Sequence, residues 1–329
     1  MPKIVRFHEL GDADVLKLED VPMPEPGPGE VRIKVEAIGL NRAEVLFREG
    51  RYIETPVLPS GLGYEASGVV EAVGPGVAGA KAGDRITTMP AFSMREYGVY
   101  GEVAIVPERS LAPWPEGLSA EQAASIWVQY ITAYGALVEI GRLGPGDAAI
   151  ITAASSSVGY AAIQIARAAG ATTIATTRTS AKRATIAGQG ADHVIATQEE
   201  DLPKRVAEIT GGRGARLIFD AVAGPGVETL AQAAAPGAEI LIYGALDPGP
   251  TPFPLLSAFA SGFTMRAYTL WSVMNNPAAL QRCKDYVLGG LASGSLRPVM
   301  DRTFPLAEIV KAHRYMVSNR QNGKITVKV

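Results

Sequence analysis

Two segments near the middle of the chain carry residue types suited to binding phosphate groups. The first, ASSSVG at residues 154–159, places small polar residues between an apolar run and a helix-like stretch. A strand, a tight turn and a helix N-terminus present free N–H groups and a positive dipole end to a pyrophosphate. The usual GxGxxG is absent and only Gly159 keeps its place, so a serine-capped turn is the alternative. The candidate phosphate ligands are Ser155, Ser156, Ser157, Val158 and Gly159.

The second segment, IATTRTSAKR, lies about 20 residues further on, where a dinucleotide-binding fold that takes NAD places an acid for the ribose 2′-OH. No Asp or Glu occurs from Ile174 through Arg183. Hydroxyls and cations that suit a 2′-phosphate stand there instead, at Thr177, Arg178, Ser180, Lys182 and Arg183. Of these, Thr177, Arg178 and Lys182 are the candidate cofactor ligands. A solvated basic helix start is the alternative. The segment therefore predicts NADP(H) rather than NAD(H) as the cofactor.

The elements around both segments alternate between strand and helix. Such alternation predicts a doubly wound parallel sheet of the Rossmann type. The predicted strands are Ala148–Ala153, Ala171–Thr177, Asp192–Ala196, Arg216–Ala221 and Glu239–Tyr243, and helices are expected at Val158–Ala169, near Ser180, at Asp201–Ile209 and at Val227–Ala235.

The first 124 residues have a different pattern, with short β-branched runs separated by turns rich in Gly and Pro. This pattern predicts a barrel-like, mainly β unit with one helix at Arg42–Arg48. The runs are Lys3–Phe7, Val31–Ala37, Ser67–Val73 and Gly101–Val106. Because the tail also loses the strand and helix rhythm, we place one domain at 1–124 and 266–329 and a Rossmann domain at 125–265.

Composition excludes several classes of protein. A chain of 329 residues is long enough for two domains. Its 31 basic and 33 acidic residues are mixed along the chain, which leaves no patch for nucleic acid or an anionic membrane. No signal peptide or long apolar run is visible, so we expect a cytoplasmic protein. The single cysteine, Cys283, permits no intrachain disulfide and is expected to be semi-buried.

Segments along nearly the whole chain resemble the medium-chain dehydrogenase/reductase superfamily, in particular its zinc-free quinone oxidoreductase (zeta-crystallin-like) branch. They are GLNRAEVLFREGRY, LPSGLGYEASGVVEAVGPGV, AGDR, ITAYGAL, SSSVGYAAIQIARAAGA, GADHVI and GKITVKV. The resemblance implies a barrel-like (GroES-like) catalytic domain built from both chain ends around a central Rossmann domain. It also implies an active site in the cleft between the domains, and a homodimer.

The resemblance also bears on metal binding. Asn41 and Tyr64 stand where zinc-dependent alcohol dehydrogenases of the superfamily carry Cys and His ligands, whereas Glu65 is retained. A catalytic zinc normally needs three protein ligands, so we predict no metal. His8, His193 and His313 lie outside the matched ligand positions and are expected to be ordinary surface or core residues.

By the same resemblance, several residues belong near the nicotinamide or the substrate. Asn41, Tyr52 and Thr132 are the catalytic candidates, although each also suits a local structural role. Leu46 stands where the quinone reductases have a second tyrosine. Further cofactor ligands are expected at Tyr243, Gly244, Ala245, Leu246 and Lys324, and Tyr64, Tyr268 and Trp271 are expected to line the substrate cleft or to serve as packing residues.

Without zinc to stabilise an alkoxide, the acceptor should already be electrophilic. We therefore expect hydride transfer from NADPH to a small molecule, either a quinone or an α,β-unsaturated carbonyl, with the protein orienting the reactants. Two alternatives remain open at this stage. One is an NADPH-binding structural or sensing protein with little turnover, and the other is an alcohol dehydrogenase.

Overall fold

A computed structural model describes residues 1–329, which form two compact units. The first unit comprises Met1–Val128 and Pro298–Val329, and the second comprises Gln129–Arg297. No helix is long and apolar enough to cross a membrane.

The strands and helices follow one another in the order below, apart from short 3-10 turns and a π-helical stretch at Gly135–Ile140. In the first half they are β1 (Lys3–Arg6), β2 (Lys17–Asp20), β3 (Glu30–Gly39), α1 (Arg42–Arg48), β4 (Glu65–Val73), β5 (Arg85–Thr88), β6 (Val103–Pro107), β7 (Leu111–Pro113), α2 (Ala120–Ala123), α3 (Trp127–Tyr134), β8 (Ala148–Ile151) and α4 (Ser157–Ala168). In the second half they are β9 (Thr172–Thr177), α5 (Arg183–Gly188), β10 (His193–Ala196), α6 (Leu202–Thr210), β11 (Ala215–Asp220), α7 (Val227–Gln232), β12 (Ala234–Ile242), α8 (Leu255–Ser261), β13 (Thr264–Ala267), α9 (Trp271–Met274), α10 (Pro277–Ser293), β14 (Met300–Pro305), α11 (Ile309–Val317) and β15 (Lys324–Lys328).

The first unit is mainly β, as predicted. Its seven-stranded sheet has the order β14-β15-β3-β4-β5-β7, with β6 also paired to β3. β3 is the central strand, and the side chains of Val31, Ile33 and Val35 alternate into the core because successive residues of a strand face opposite sides. β15 pairs antiparallel with β3, which joins the C-terminal residues to the N-terminal part of the chain.

The second unit contains six parallel strands in the order β10-β9-β8-β11-β12-β13. Counted within this sheet, the strands run 3-2-1-4-5-6, which is the Rossmann order. The predicted parallel sheet is therefore confirmed. Its order reverses between β8 and β11. In open parallel sheets, the loops that follow two such strands diverge and border a crevice at the carboxyl ends of the strands.

One predicted helix end is wrong. The helix expected to run to Ala235 ends at Gln232, because β12 already begins at Ala234. Sequence analysis placed the start of this strand at Glu239. Its first residues, AAPG, have low strand propensity and therefore conceal its beginning.

The tail differs from the predicted division as well. β13 adds parallel to β12 as the sixth strand, and α9 and α10 also belong to the second unit, so the break falls at Pro298 instead of residue 266. β13 is an edge strand, and most of its four residues are exposed. It therefore lacks the apolar run that identified the other strands.

The helix α4 packs closely on the sheet through small residues. Ala161, Ala162, Ile165 and Ala166 are buried along one side, as the helical spacing predicts. At its first turn, a Cβ on Gly159 would lie 2.5 Å from the carbonyl oxygen of Ala154 and 2.6 Å from its Cα. Only glycine therefore fits between this helix and the end of β8.

We predict that Gly159→Ala destabilises the protein by about 1–3 kcal/mol, because backbone atoms must move to admit the methyl group. Gly188→Ala on α5 is the matched control, since a Cβ there meets nothing within 4 Å. The control should be neutral or stabilising by up to about 1 kcal/mol. Urea unfolding measures both, and equal effects of the two substitutions would contradict the packing argument.

Candidate active site

In the second unit, hydrogen bonds join the ends of β8 and β11 at the point where the strand order reverses. The Thr152 hydroxyl donates to Asp220 Oδ1 at 2.7 Å and accepts from the N–H of Ala221 at 2.8 Å, which ties the ends of β8 and β11 together. The same carboxylate accepts from the N–H groups of Val222 and Ala223. In open parallel sheets, ligands bind at this point of order reversal, outside the carboxyl ends of the strands.

The serine loop follows β8 into this crevice. Its left-handed residue is Ala153, with φ of 46°, so alanine takes the backbone role that the first glycine of the usual fingerprint serves. Ser156 is extended and caps α4, because its hydroxyl accepts from the N–H of Gly159 at 3.0 Å. The serines are thus not required to adopt positive φ, although such a φ costs alanine more than glycine.

The loop after β12 runs beside the loop after β11. Tyr243 N–H donates to the carbonyl of Asp220 at 2.8 Å, and Leu246 N–H donates to the carbonyl of Ala221 at 3.2 Å. A Cβ on Gly244 would lie 2.6 Å from the oxygen of Ala221, so the two backbones pass too closely for a side chain. The segment predicted from Tyr243 to Leu246 therefore borders the crevice.

The side chain of Tyr243 places a buried hydroxyl in this region. Its ring stacks on Phe219 with centroids 4.0 Å apart. Its hydroxyl lies near Ser156, is buried and makes no hydrogen bond of normal geometry. Burial, with the nearby Asp220, raises the pKa of Tyr243, which keeps the group a neutral donor. The left-handed turn, the close approach at Gly244 and this buried hydroxyl beside Ser156 together fit a bound dinucleotide.

The basic segment after β9 meets the serine loop. Lys182 Nζ donates to the hydroxyl of Ser155 at 3.2 Å, which brings a cation to the loop. Arg178 is exposed and forms no ion pair, whereas Arg183 is held by Glu200. The next strand, β10, also delivers Glu199, whose carboxylate accepts from the N–H of Ser180 at 3.0 Å. Sequence analysis missed this acid because it lies outside the contiguous segment.

The first unit holds a second cluster of predicted residues. Lys324 Nζ donates to Glu65 Oε2 at 2.5 Å and to Asn41 Oδ1 at 2.7 Å. Both charged side chains of this pair are almost completely buried. Glu65 Oε1 accepts from the N–H of Val128 at 2.8 Å. Asn41 and Lys324, which sequence analysis assigned to catalysis and to the cofactor, are therefore direct neighbours.

Glu44 is the residue of this cluster that sequence analysis missed. Its buried carboxylate accepts from the N–H and side-chain amide of Asn41, the N–H of Tyr64 and the hydroxyl of Tyr100. Burial raises the pKa of Glu44 to about 7, against these hydrogen bonds and the charge of Lys324, which lower it. The N-x-x-E spacing at the start of α1 is a capping-box pattern, and it offered a signal.

Other buried titratable groups surround Glu44. His313 lies 3.3 Å from the Tyr100 hydroxyl, and burial with the charges of Arg48 and Arg42 lowers its pKa to about 3. His313 is therefore neutral and part of the core, as expected. His8 is exposed and lies 2.6 Å from Glu19.

The predicted tyrosines of the first unit lie together. Tyr64 is buried, and burial together with the neighbouring Tyr52 raises its pKa. Tyr52 itself packs edge-on against Phe47, with ring centroids 6.4 Å apart. Leu46 lies on α1 and is half-buried. Tyr64 is thus a neutral, buried phenol, and the half-buried Tyr52 lies beside it.

The remaining candidates lie in the second unit. Thr132 is buried on α3. Tyr268 is also buried, and its hydroxyl donates to the carbonyl of Ile131 at 3.4 Å, so it contributes to packing. Trp271 begins α9 and is half-buried. Their predicted roles at the substrate remain predictions.

No group of three or more His, Cys, Asp or Glu side chains is placed to hold a metal ion. Cys283 is fully buried on α10, more than the semi-burial expected, and burial raises the pKa of its thiol.

Comparison with protein families identifies both units. Residues 27–116 match the alcohol dehydrogenase GroES-like domain, and residues 157–285 match the zinc-binding dehydrogenase family. A quinone oxidoreductase from Pseudomonas aeruginosa is 33% identical over 98% of both chains. The chain belongs to the quinone oxidoreductase branch of the medium-chain dehydrogenase/reductase superfamily. The predicted family and the predicted pair of fold types are confirmed.

Similar proteins carry out several different reactions. A 2-haloacrylate reductase from Burkholderia sp. is 30% identical over 98% of this chain and 97% of its own. The structure of Escherichia coli quinone oxidoreductase complexed with NADPH matches with a TM-score of 0.90 and 28% identity, over 99% of this chain and all of that one. An NAD-dependent alcohol dehydrogenase structure matches with a TM-score of 0.89 and 32% identity, over 99% of both chains.

The buried carboxylate of Glu44 predicts a pH-dependent stability. Its pKa rises from about 4.5 to about 7 on folding. The folded state therefore binds more protons between these values, and the stability contributed by this group falls as pH rises through that window. His313 acts with the opposite sign, because its pKa falls from 6.5 to about 3. The wild-type profile combines both trends.

Glu44→Gln isolates the first trend, because His313 is retained in both proteins. The stability of the variant relative to wild type should increase by about 2–3 kcal/mol between pH 5 and pH 8. Urea unfolding at several pH values measures this difference, with the exposed Glu116→Gln as control. A difference that does not vary with pH would show that Glu44 is charged throughout the range.

Proposed function

We propose that this chain is an NADPH-dependent oxidoreductase that transfers a hydride to a quinone or an α,β-unsaturated carbonyl. The observation that carries the cofactor assignment is the arrangement after β9, where Lys182 reaches Ser155 and Arg178 carries no counter-ion. Guanidinium and ammonium groups suit a 2′-phosphate. The similar Escherichia coli quinone oxidoreductase, whose structure contains NADPH, supports this assignment.

In this proposal, different residues of the crevice contact different parts of the cofactor. Ser155, Ser156 and Ser157, with the N-terminus of α4, would hold the pyrophosphate. Thr177, Arg178 and Lys182 would hold the 2′-phosphate, and the loop from Tyr243 to Leu246 would border the nucleotide. The reduced nicotinamide, when bound, supplies the hydride. The remaining task of the protein is to orient the acceptor and to stabilise its developing negative charge.

In this proposal, polar side chains form the hydrogen bonds that orient the acceptor and the nicotinamide. Asn41 and Tyr52 of the first unit are the candidates for hydrogen bonds to the substrate oxygen or the ribose, and Thr132 of the second unit is the candidate for the carboxamide. Lys324 donates to the oxygen of Asn41. The amide nitrogen donates to Glu44 and to the carbonyl of Gly39, so the amide has a defined orientation. A substrate oxygen would have to share or replace one of these two acceptors. Tyr52 is the candidate proton donor, since reduction of either acceptor requires one proton besides the hydride.

The acceptor class follows from what the similar proteins reduce and from the matched ligand positions. A quinone and a haloacrylate share an electron-poor carbon conjugated to oxygen, and both names occur among the similar proteins. Asn41 and Tyr64 occupy the positions that carry zinc ligands in alcohol dehydrogenases of the superfamily. An acceptor of this kind can receive a hydride without a metal to polarise it.

An alcohol dehydrogenase is the second candidate, favoured by the similarity to the structure of an NAD-dependent alcohol dehydrogenase. An NADPH-binding protein with little turnover is the third. Oxidation of NADPH and NADH by the purified protein, before and after treatment with a chelator, distinguishes the three. The panel contains 1,4-benzoquinone, 9,10-phenanthrenequinone, a 2-alkenal, a cyclic enone and a simple aldehyde, with total zinc measured alongside.

We expect NADPH oxidation with a quinone or an enone at substoichiometric zinc. Reduction of the aldehyde by protein containing stoichiometric zinc would support the alcohol dehydrogenase instead. Tight NADPH binding without turnover on any acceptor would support the binding protein.

Arg178→Ala should weaken NADPH binding about 10- to 100-fold and NADH binding less than twofold, because a charge-assisted hydrogen bond contributes about 1.5–3 kcal/mol and only NADPH carries the 2′-phosphate. Nucleotide titration by fluorescence gives both dissociation constants. Arg213→Ala is the control, since this exposed arginine precedes β11 at the opposite end of the sheet. Equal weakening of the two nucleotides by Arg178→Ala would mean that the guanidinium does not contact the 2′-phosphate.

A further inference from the structure

A carboxylate from the neighbouring strand occupies the turn where the sequence itself has no acid. Backbone pairing continues past the ends of β9 and β10, with the N–H of Thr197 donating to Thr177 and the N–H of Gln198 donating to Arg178. The next residue, Glu199, therefore lies beside Ser180. Its Oε1 accepts from the N–H of Ser180 at 3.0 Å and from the hydroxyl at 3.3 Å.

The position of this carboxylate matters because of what the turn recognises in this fold. The end of the second strand of a Rossmann sheet is where an acid accepts the ribose 2′-OH, or where cations accept a 2′-phosphate. The stretch from Ile174 to Arg183 has no acid of its own. Glu199 places a carboxylate at this turn, although it follows the third strand of the sheet and not the second.

Glu200 forms an ion pair with one of the cations of the same region, Arg183. It holds Arg183 and also pairs with Arg205, and it accepts from the N–H of Ala196 at 2.8 Å. The guanidinium of Arg183 is thus already paired with a carboxylate. Of the other cations in this segment, Arg178 is exposed and forms no ion pair, and Lys182 donates to Ser155.

We propose that Glu199 is a specificity-determining residue of the cofactor site, which favours NADH over NADPH relative to what the neighbouring cations alone would give. The inference rests on the proposed function, since it requires a nicotinamide nucleotide in the second unit. Glu199 opposes a phosphate in two ways. Its negative charge repels the phosphate, and it occupies the two donors of Ser180 that a phosphate oxygen could accept from.

The two nucleotides make different demands on this carboxylate. A ribose 2′-OH can donate to Glu199, and the contact with Ser180 can persist. A 2′-phosphate has no proton to donate in its dianionic form, so Glu199 must leave Ser180 or remain beside a like charge. The discrimination is electrostatic, and added salt should reduce it because Glu199 is exposed.

The test compares Glu199→Gln and Glu199→Ala with wild type in titrations with NADPH and NADH. Gln keeps the shape and an acceptor for Ser180 but removes the charge, whereas Ala also frees both donors. Both variants should tighten NADPH about two- to fivefold, the range expected for an exposed charge pair, and should tighten NADH by less than 1.5-fold. Asp285→Asn on α10 is the control, because it removes one exposed negative charge from the same unit.

The outcomes separate this inference from the proposed function. A shift of the NADPH to NADH affinity ratio in both Glu199 variants, absent in Asp285→Asn and smaller at 0.5 M salt, supports the inference even if wild type prefers NADH. An unchanged ratio, with both nucleotides bound, overturns the inference and leaves the proposed function in place. Binding of neither nucleotide by any of the proteins overturns both.

Discussion

The first unit depends on a charge that must be neutralised where water does not reach. The ammonium of Lys324 lies on β15 inside the sheet, and transfer of such an ion from water costs on the order of several kcal/mol unless a partner is present. Glu65 on β4 provides that partner, and Asn41 provides a second acceptor. Because the three residues come from distant parts of the sequence, the pair can form only when β15 has joined β3 and β4. The ion pair therefore forms only in this strand order, and the buried Lys324 would lack a partner in any other order.

A shared acid then extends the same constraint to α1. Glu44 collects donors from Asn41, Tyr64 and Tyr100, and its burial favours the protonated form. Two carboxylates thus stand on either side of Asn41. Glu65 faces a cation, whereas Glu44 faces neutral donors, and this difference in partners fixes which atom of the Asn41 amide points to Lys324. A local contact that resembles a helix cap thereby sets the orientation of a candidate catalytic group.

Sequence analysis could predict the features that depend on contiguous residues. Helix α1 has the predicted bounds, and Gly159 has the predicted close contact, because helical periodicity and glycine each leave a local pattern. A tight turn was predicted after β8, but the positive φ of Ala153 was not, because alanine adopts such a φ less readily than glycine. β13 was missed for a related reason. An exposed edge strand gains its place from pairing with β12, and pairing leaves no periodicity in its own residues.

The candidate site was harder to predict, because its charges come from neighbouring strands. The absence of an acid in IATTRTSAKR was a correct observation about the sequence, but the register of β10 against β9 brings Glu199 to Ser180. In a parallel sheet the residues that follow adjacent strands always meet at one edge. Residues that follow at least two adjacent strands therefore contribute charge to a nucleotide pocket. A sequence motif that covers only one of these strand ends cannot predict the net charge of the pocket. The same reasoning applies to Lys324, whose neighbours lie more than 250 residues earlier and set its environment.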